Sequence, residues 1–217
     1  MTTDIQQKPM WRRLALPLIA GAIAGGLGSF AFLQLAEIDG GDGLGTSREI
    51  AGLVGVLYVL CGVAVLLGAL NPAVGAKFLN VEDADELREQ SRMLVYSGVA
   101  TLLIGLALGL LALSGEGGFV AAEIGAIVAV ASIIAASILS IAMQRHIDEL
   151  QRALSNDAVA SAFYLMALFG GGWALLAHLD YVAPPAPLDW LTMFSATLLI
   201  GAFWQTARRG LMMRGPN

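Results

Sequence analysis

FVAAEIGAIVAVASIIAASILSIAM, residues 119–143, runs for 25 positions with one ionisable side chain, Glu123. About 20 apolar residues in a helix cross the ~30 Å hydrocarbon core of a bilayer. A helix that is apolar on every face belongs in a large core or in lipid. QRHIDELQRAL follows directly, with charges returning at helical spacing. The reading is a membrane span, residues 119–143, that continues as a helix into water.

The same rule finds five more apolar runs. Residues 14–35 form a first span, read as uncleaved because its 22 positions exceed the apolar core of a signal peptide. Residues 50–70 form the second, stopped by Asn71-Pro72. Residues 93–113 form the third, and the tight SGEGG connection makes spans three and four an antiparallel hairpin. Residues 158–179 form the fifth and 188–205 the sixth, joined by the proline-stiffened DYVAPPAP. Polar tails cover 1–13 and 207–217. The fold class expected is all-α: a polytopic membrane protein of six transmembrane helices arranged as three hairpins.

Composition agrees. Of 217 residues, 57% are hydrophobic and 13% charged, and the mean hydropathy is +0.74. Soluble domains carry about 25% charged residues. Many of the 26 glycines sit inside apolar runs, where small residues let helix backbones approach. Gly21 with Gly25, and Gly105 with Gly109, have the GxxxG spacing. Gly170-Gly171-Gly172 marks a close contact, a bend or a break in span five. One cysteine, Cys61, excludes an intrachain disulfide and a cysteine metal cluster. There is no basic-aromatic patch for nucleic acid.

Charge sets the orientation. With six spans, Lys8, Arg12, Arg13, Lys77, Arg88, Arg92, Arg145, Arg152, Arg208, Arg209 and Arg214 share one side, and Arg48 alone lies opposite. Basic loops stay in the cytoplasm, so both termini are expected to be cytoplasmic. The opposite face is acidic, with Glu37, Asp39, Asp42, Glu49, Glu116, Glu123, Asp180 and Asp189. Two cytosolic segments, 82–92 and 144–155, read as amphipathic helix. In the second, Arg145–Glu149 and Asp148–Arg152 stand at i,i+4 spacing, and Ser155-Asn156-Asp157 is read as the break before span five. That segment is the expected partner contact, through Arg145, Asp148, Glu149 and Arg152.

The chemistry-bearing residues are few. Glu123 is the one ionisable group well inside a span, which makes it a functional candidate by default. A carboxylate snorkelling to the outer edge is the plainer reading. His178 lies near the outer end of span five, and a Glu123–His178 couple would be proton-sensitive. His146 and His178 fall on opposite sides of the membrane, so no metal site is expected. The span-four serines have no base nearby in sequence, and no phosphate-binding glycine loop is present. No catalytic residue and no cofactor are expected.

Asp148, Glu149, Gln151 and Arg152, followed by a helix pair and a closing WQTARR, resemble a segment of small bacterial membrane proteins of unknown function. The likeness covers the last third of the chain. It implies a multi-pass protein of the bacterial inner membrane and no activity. The expected role is non-enzymatic: small-residue faces pack in the bilayer, against other membrane proteins or a second copy, and the charged segments meet cytosolic partners. The alternative is a small transporter or channel for protons, cations or an apolar solute, using Glu123 and His178.

Overall fold

The structure, a computed structural model, describes residues 10–37, 44–71, 90–115, 117–118 and 120–210, with the side chains of 10–18 and 36–37 outside that description. The described residues form six helices: α1 (Met10–Glu37), α2 (Thr46–Leu70), α3 (Ser91–Ala112), α4 (Ala122–Met143), α5 (Glu149–His178) and α6 (Pro187–Arg208). Four of them, α2 to α5, are long and apolar enough to cross a membrane. The described apolar part of α1, Ile19–Leu35, is shorter. Helix α6 is as long as α3 and α4 but carries Asp189, Thr192, Ser195, Thr197 and Gln205 along its length. Residues 72–89 lie outside the described residues, and most of the expected segment 82–92 with them.

The three sequential helix pairs are all in contact, yet the closest pairing joins α2 to α3, which belong to different pairs. Glycine explains it. A Cβ on Gly105 would stand 2.7 Å from the carbonyl oxygen of Gly55 and 2.7 Å from the amide nitrogen of Val59. One on Gly62 would stand 2.7 Å from the amide nitrogen of Leu102. The two backbones therefore touch, running antiparallel, with the buried Ala51 and Ala112 clustered at one end of the seam. Lipid tails are as apolar as leucine, so close van der Waals contact replaces the hydrophobic drive between helices.

The Gly105–Gly109 spacing finds its partner at this seam. Gly21 and Gly25 of α1 do not, for among the described residues nothing lies within 4 Å of a Cβ built on either. Helix α1 instead meets α2 nearer its own C-terminal end. Gly28 faces Val56, and the Phe32 ring fills the notch left by Gly52. The order across the molecule is α1, α2, α3, α4, with α6 running parallel to α2 and leaning on it, and α5 antiparallel to α6.

Three expected boundaries move. Span two begins at Thr46 instead of 50, which takes Ser47, Arg48 and Glu49 into the first turn of α2. Span four begins at Ala122, and ahead of it Ser114 and Val120 pair as an isolated bridge. Gly115 and Gly117 take φ of 93° and 64° there, left-handed values that glycine adopts without a Cβ clash.

The largest shift concerns residues 144–155, which do not continue span four. Helix α4 stops at Met143, and a new helix starts at Glu149 and runs unbroken through Ser155-Asn156-Asp157 to His178. The cause is local. Asp148 is the N-cap, its carboxylate accepting the Gln151 N–H at 2.6 Å, while the Gln151 side chain accepts from the Asp148 N–H at 3.4 Å. This reciprocal capping box starts a helix where the charge spacing alone reads as a continuing one. The Arg145–Glu149 and Asp148–Arg152 pairs do not close, and Arg152 donates to the Gln144 carbonyl at 3.3 Å instead. Asp148→Ala should cost the α5 terminus about 1 kcal/mol. The check is amide hydrogen exchange at 149–152, expected to quicken roughly fivefold by that energy.

The glycine triplet does not break α5. Gly170 is buried, and a Cβ there would meet the Met166 side chain at 2.9 Å and the Trp190 ring at 3.1 Å. It is a contact point for α6. Gly171 and Gly172 face open space.

Candidate functional site

Helix directions place the functional side chains at two ends of the bundle. The N-terminal ends of α2, α4 and α6 meet the C-terminal ends of α3 and α5 at one end. Arg48, Glu123, His178, Asp180 and Asp189 lie there. The opposite end carries Arg92, Arg145, Arg152, Arg208 and Arg209.

The first end is a clasp built on the start of α2. Arg48 donates from Nε to the Ala112 carbonyl at 2.7 Å and from an Nη to the Ser114 carbonyl at 2.7 Å. The Ala112 carbonyl is one that a helix leaves unbonded at its C-terminus, the Ser114 carbonyl lies two residues beyond the helix end, and a cation is favoured there by the helix dipole. Next door, Ser47 Oγ donates to Asp189 Oδ1 at 2.6 Å, and the Ala186 N–H donates to Asp189 Oδ2 at 2.7 Å. Two consecutive residues of α2 thus hold the end of α3 and the start of α6. The 179–186 turn is closed separately. Asp180 sits at φ 59°, the Tyr181 N–H reaches the Leu176 carbonyl at 3.0 Å, and Trp173 Nε1 donates to the Ala183 carbonyl at 2.9 Å. That is the left-handed C-terminal cap of a helix.

Halfway down, the buried Tyr58 of α2 donates its hydroxyl to the Ser195 carbonyl of α6 at 2.7 Å. Lower still, α5 and α6 are tied by polar pairs. The buried Gln205 donates from Nε2 to Ser161 Oγ at 2.7 Å, Ser161 Oγ donates to the Asp157 carbonyl at 2.8 Å, and Arg209 pairs with the Asp157 carboxylate. Gly201 lets the α5 backbone in, since a Cβ there would stand 2.5 Å from the Ala158 carbonyl oxygen. Tyr58→Phe keeps the ring and removes the mid-bundle hydroxyl bond between α2 and α6. It should cost about 1 kcal/mol, the scale of interhelical hydrogen bonds in membranes, read as reversible unfolding in detergent.

The structure does not bring the two candidate residues together. Glu123 is in the first turn of α4 and His178 in the last turn of α5. Both are exposed, neither makes a hydrogen bond or ion pair among the described residues, and α4 and α5 have no extended contact. Their charges suit their places, a carboxylate at a helix start and an imidazole at a helix end. The segment Arg145, Asp148, Glu149 and Arg152 forms the turn between α4 and α5 and the first turn of α5, with all four side chains exposed. Among the described residues no three of His, Cys, Asp and Glu converge as metal ligands would.

The serines singled out in span four divide. Ser137 and Ser140 donate back to the Ile133 and Ala136 carbonyls at 2.8 Å each. Ser132 is buried on the face toward α3. Sequence reasoning missed Tyr58 and the pairing of Ser47 with Asp189. Tyr58 had a legible signal, a hydroxyl in an otherwise aliphatic run that must find an acceptor. The Ser47–Asp189 pair spans 142 positions and had none. Compared with protein-family models, with curated proteins and with solved structures, the chain matches none.

Proposed function

We propose that this chain is a six-span protein of a bacterial inner membrane, with both termini in the cytosol, and that it acts by contact without catalysing a reaction. The observation that carries the reading is the open side of the bundle. Helices α4 and α5 follow one another in sequence yet make no extended contact. Helix α4 turns Ile127, Ile134, Ile138 and Ile141 outward, and α5 turns Phe163, Leu168 and Phe169 outward. Soluble monomers rarely expose continuous apolar surface of this kind, and in a bilayer it is available to lipid and to neighbouring helices.

The polar groups between helices are engaged in holding the bundle together: Ser47, Arg48, Tyr58, Ser161, Asp189 and Gln205 each bond across helices or to a helix end. Orientation is supported by the charge split. Eleven of twelve basic residues share a side in the six-span reading, and basic residues are retained in the cytoplasm. The resemblance of the Asp148-to-Arg152 segment supports the bacterial inner membrane.

Contact with cytosolic partners falls to the exposed first turn of α5. The test is affinity capture from cross-linked membranes with the wild-type chain and with Glu149→Gln/Arg152→Gln. The reading predicts loss of specific cross-linked species from the variant. An unchanged set would contradict it.

A further inference from the structure

Between α3 and α4, in the half of the bundle nearer the arginines, runs an open groove of about 350 Å³ lined by Ile104, Ile133, Ala136, Ser137, Ser140 and Ile141. Its wall is apolar in effect, because both serine hydroxyls are spent on the carbonyls of their own helix. The lining follows one face of α4, Ile133, Ser137 and Ile141 being spaced by four. On α3 the same spacing runs from Ile104 through Ala100 to Tyr96 and Arg92. Below the groove the Tyr96 and His146 rings meet edge to face at 5.5 Å, which ties the start of α3 to the end of α4.

One turn past Tyr96 stands Arg92, and one step past Ile141 stands Arg145. Both are exposed, and among the described residues neither has a carboxylate within 4 Å. In sequence Glu89 stands three positions before Arg92, outside the described residues, and Asp148 and Glu149 follow Arg145, Asp148 engaged as the cap of α5 and Glu149 exposed. An apolar trough flanked at one end by two exposed arginines has the polarity of a phospholipid: hydrocarbon along the trough, phosphate at the cationic end. Arginine suits that end, since its planar fork binds phosphate oxygens in pairs.

We propose that this groove binds one anionic glycerophospholipid, with an acyl chain between α3 and α4 and the headgroup phosphate on Arg92 and Arg145. The proposal rests on the reading that α3 and α4 lie in a bilayer. Anionic headgroups at the cytosolic leaflet attract basic residues placed beside them.

The experiment is native mass spectrometry of the full chain in detergent, with phosphatidylglycerol and phosphatidylcholine of identical acyl chains. One phosphatidylglycerol should be retained about tenfold better than phosphatidylcholine, the scale of a few favourable charge contacts. Arg92→Gln/Arg145→Gln should bring the two lipids level. Ile104→Trp, which fills the trough and keeps the arginines, should lower retention of both. Arg208→Gln, a basic residue at the same end but on α6, should change nothing. Equal retention of the two lipids by the wild-type chain, or a preference that survives the double substitution, overturns the proposal. Displacement by millimolar inorganic phosphate also overturns it, since a bare phosphate needs no trough. Carbonate extraction of the expressing cells separates the two readings. A chain that stays in the membrane pellet but shows no lipid preference sinks the site alone. A chain released to the supernatant sinks both.

Discussion

Gly105→Ala should destabilise the bundle by about 3 kcal/mol, the upper range for overpacking a closed interior. Gly171→Ala should be neutral or stabilise by up to ~1 kcal/mol. The same methyl group is added to a helix in both cases. At Gly105 it arrives 2.7 Å from two backbone atoms of α2, which no side-chain rotation can move. At Gly171 it arrives in open space, and the helix gains the propensity that alanine has over glycine. Gly62→Ala should behave as Gly105→Ala does, for it faces the Leu102 amide and the Gly98 carbonyl. Denaturation in mixed micelles gives the sign of each. If Gly105→Ala proved harmless, α2 and α3 would not be in backbone contact, and the central seam would be wrong.

Arg48→Gln should cost about 2 kcal/mol, in the range for losing hydrogen bonds to a charged group. Arg48 bridges two carbonyls at the end of α3, and Gly118 lies so close that a Cβ there would strike its guanidinium. Glutamine lacks the reach and the fork to bridge both. The loss should appear first as protease cleavage within 113–121, before global unfolding. Arg48→Lys should fall between the two, keeping the charge but not the two-pronged geometry. The substitutions should leave the membrane orientation untouched, because the bias set by the other basic residues remains.

The helices were legible in the sequence because their signal is local. Long apolar runs bounded by charge identify themselves, and among the described residues four of them appear as helices long and apolar enough to span. The boundary between the fourth and fifth was not, because two readings of IDELQRAL compete. Charge spacing favours one continuing helix, and the Asp148–Gln151 capping box favours a new start. The box prevails through bonds of defined geometry, where exposed i,i+4 pairs contribute only ~0.3–0.5 kcal/mol. GxxxG spacing was ambiguous for another reason. It marks a face on which a helix can be approached and does not say which partner arrives. The Gly105 face is filled by α2, and the Gly21–Gly25 face is left open. At the candidate site, Glu123 stood out as a lone charge in a long apolar run, and its distinction fades once α4 begins at Ala122 and the carboxylate sits in a helix's first turn. The clasp of Ser47, Arg48 and Asp189 depends on tertiary placement, which residue spacing does not carry.

Substituted-cysteine labelling tests the layout most directly. In a Cys61→Ser background, Val182→Cys on the α5–α6 turn and Ala153→Cys on the first turns of α5 place one thiol at each end of the same helix. Both positions are exposed. A membrane-impermeant maleimide applied to intact spheroplasts should label Val182→Cys and leave Ala153→Cys unmodified until the membrane is opened. Labelling of Ala153→Cys in intact spheroplasts, or protection of Val182→Cys, would contradict a bundle that crosses the membrane with its arginine end in the cytosol.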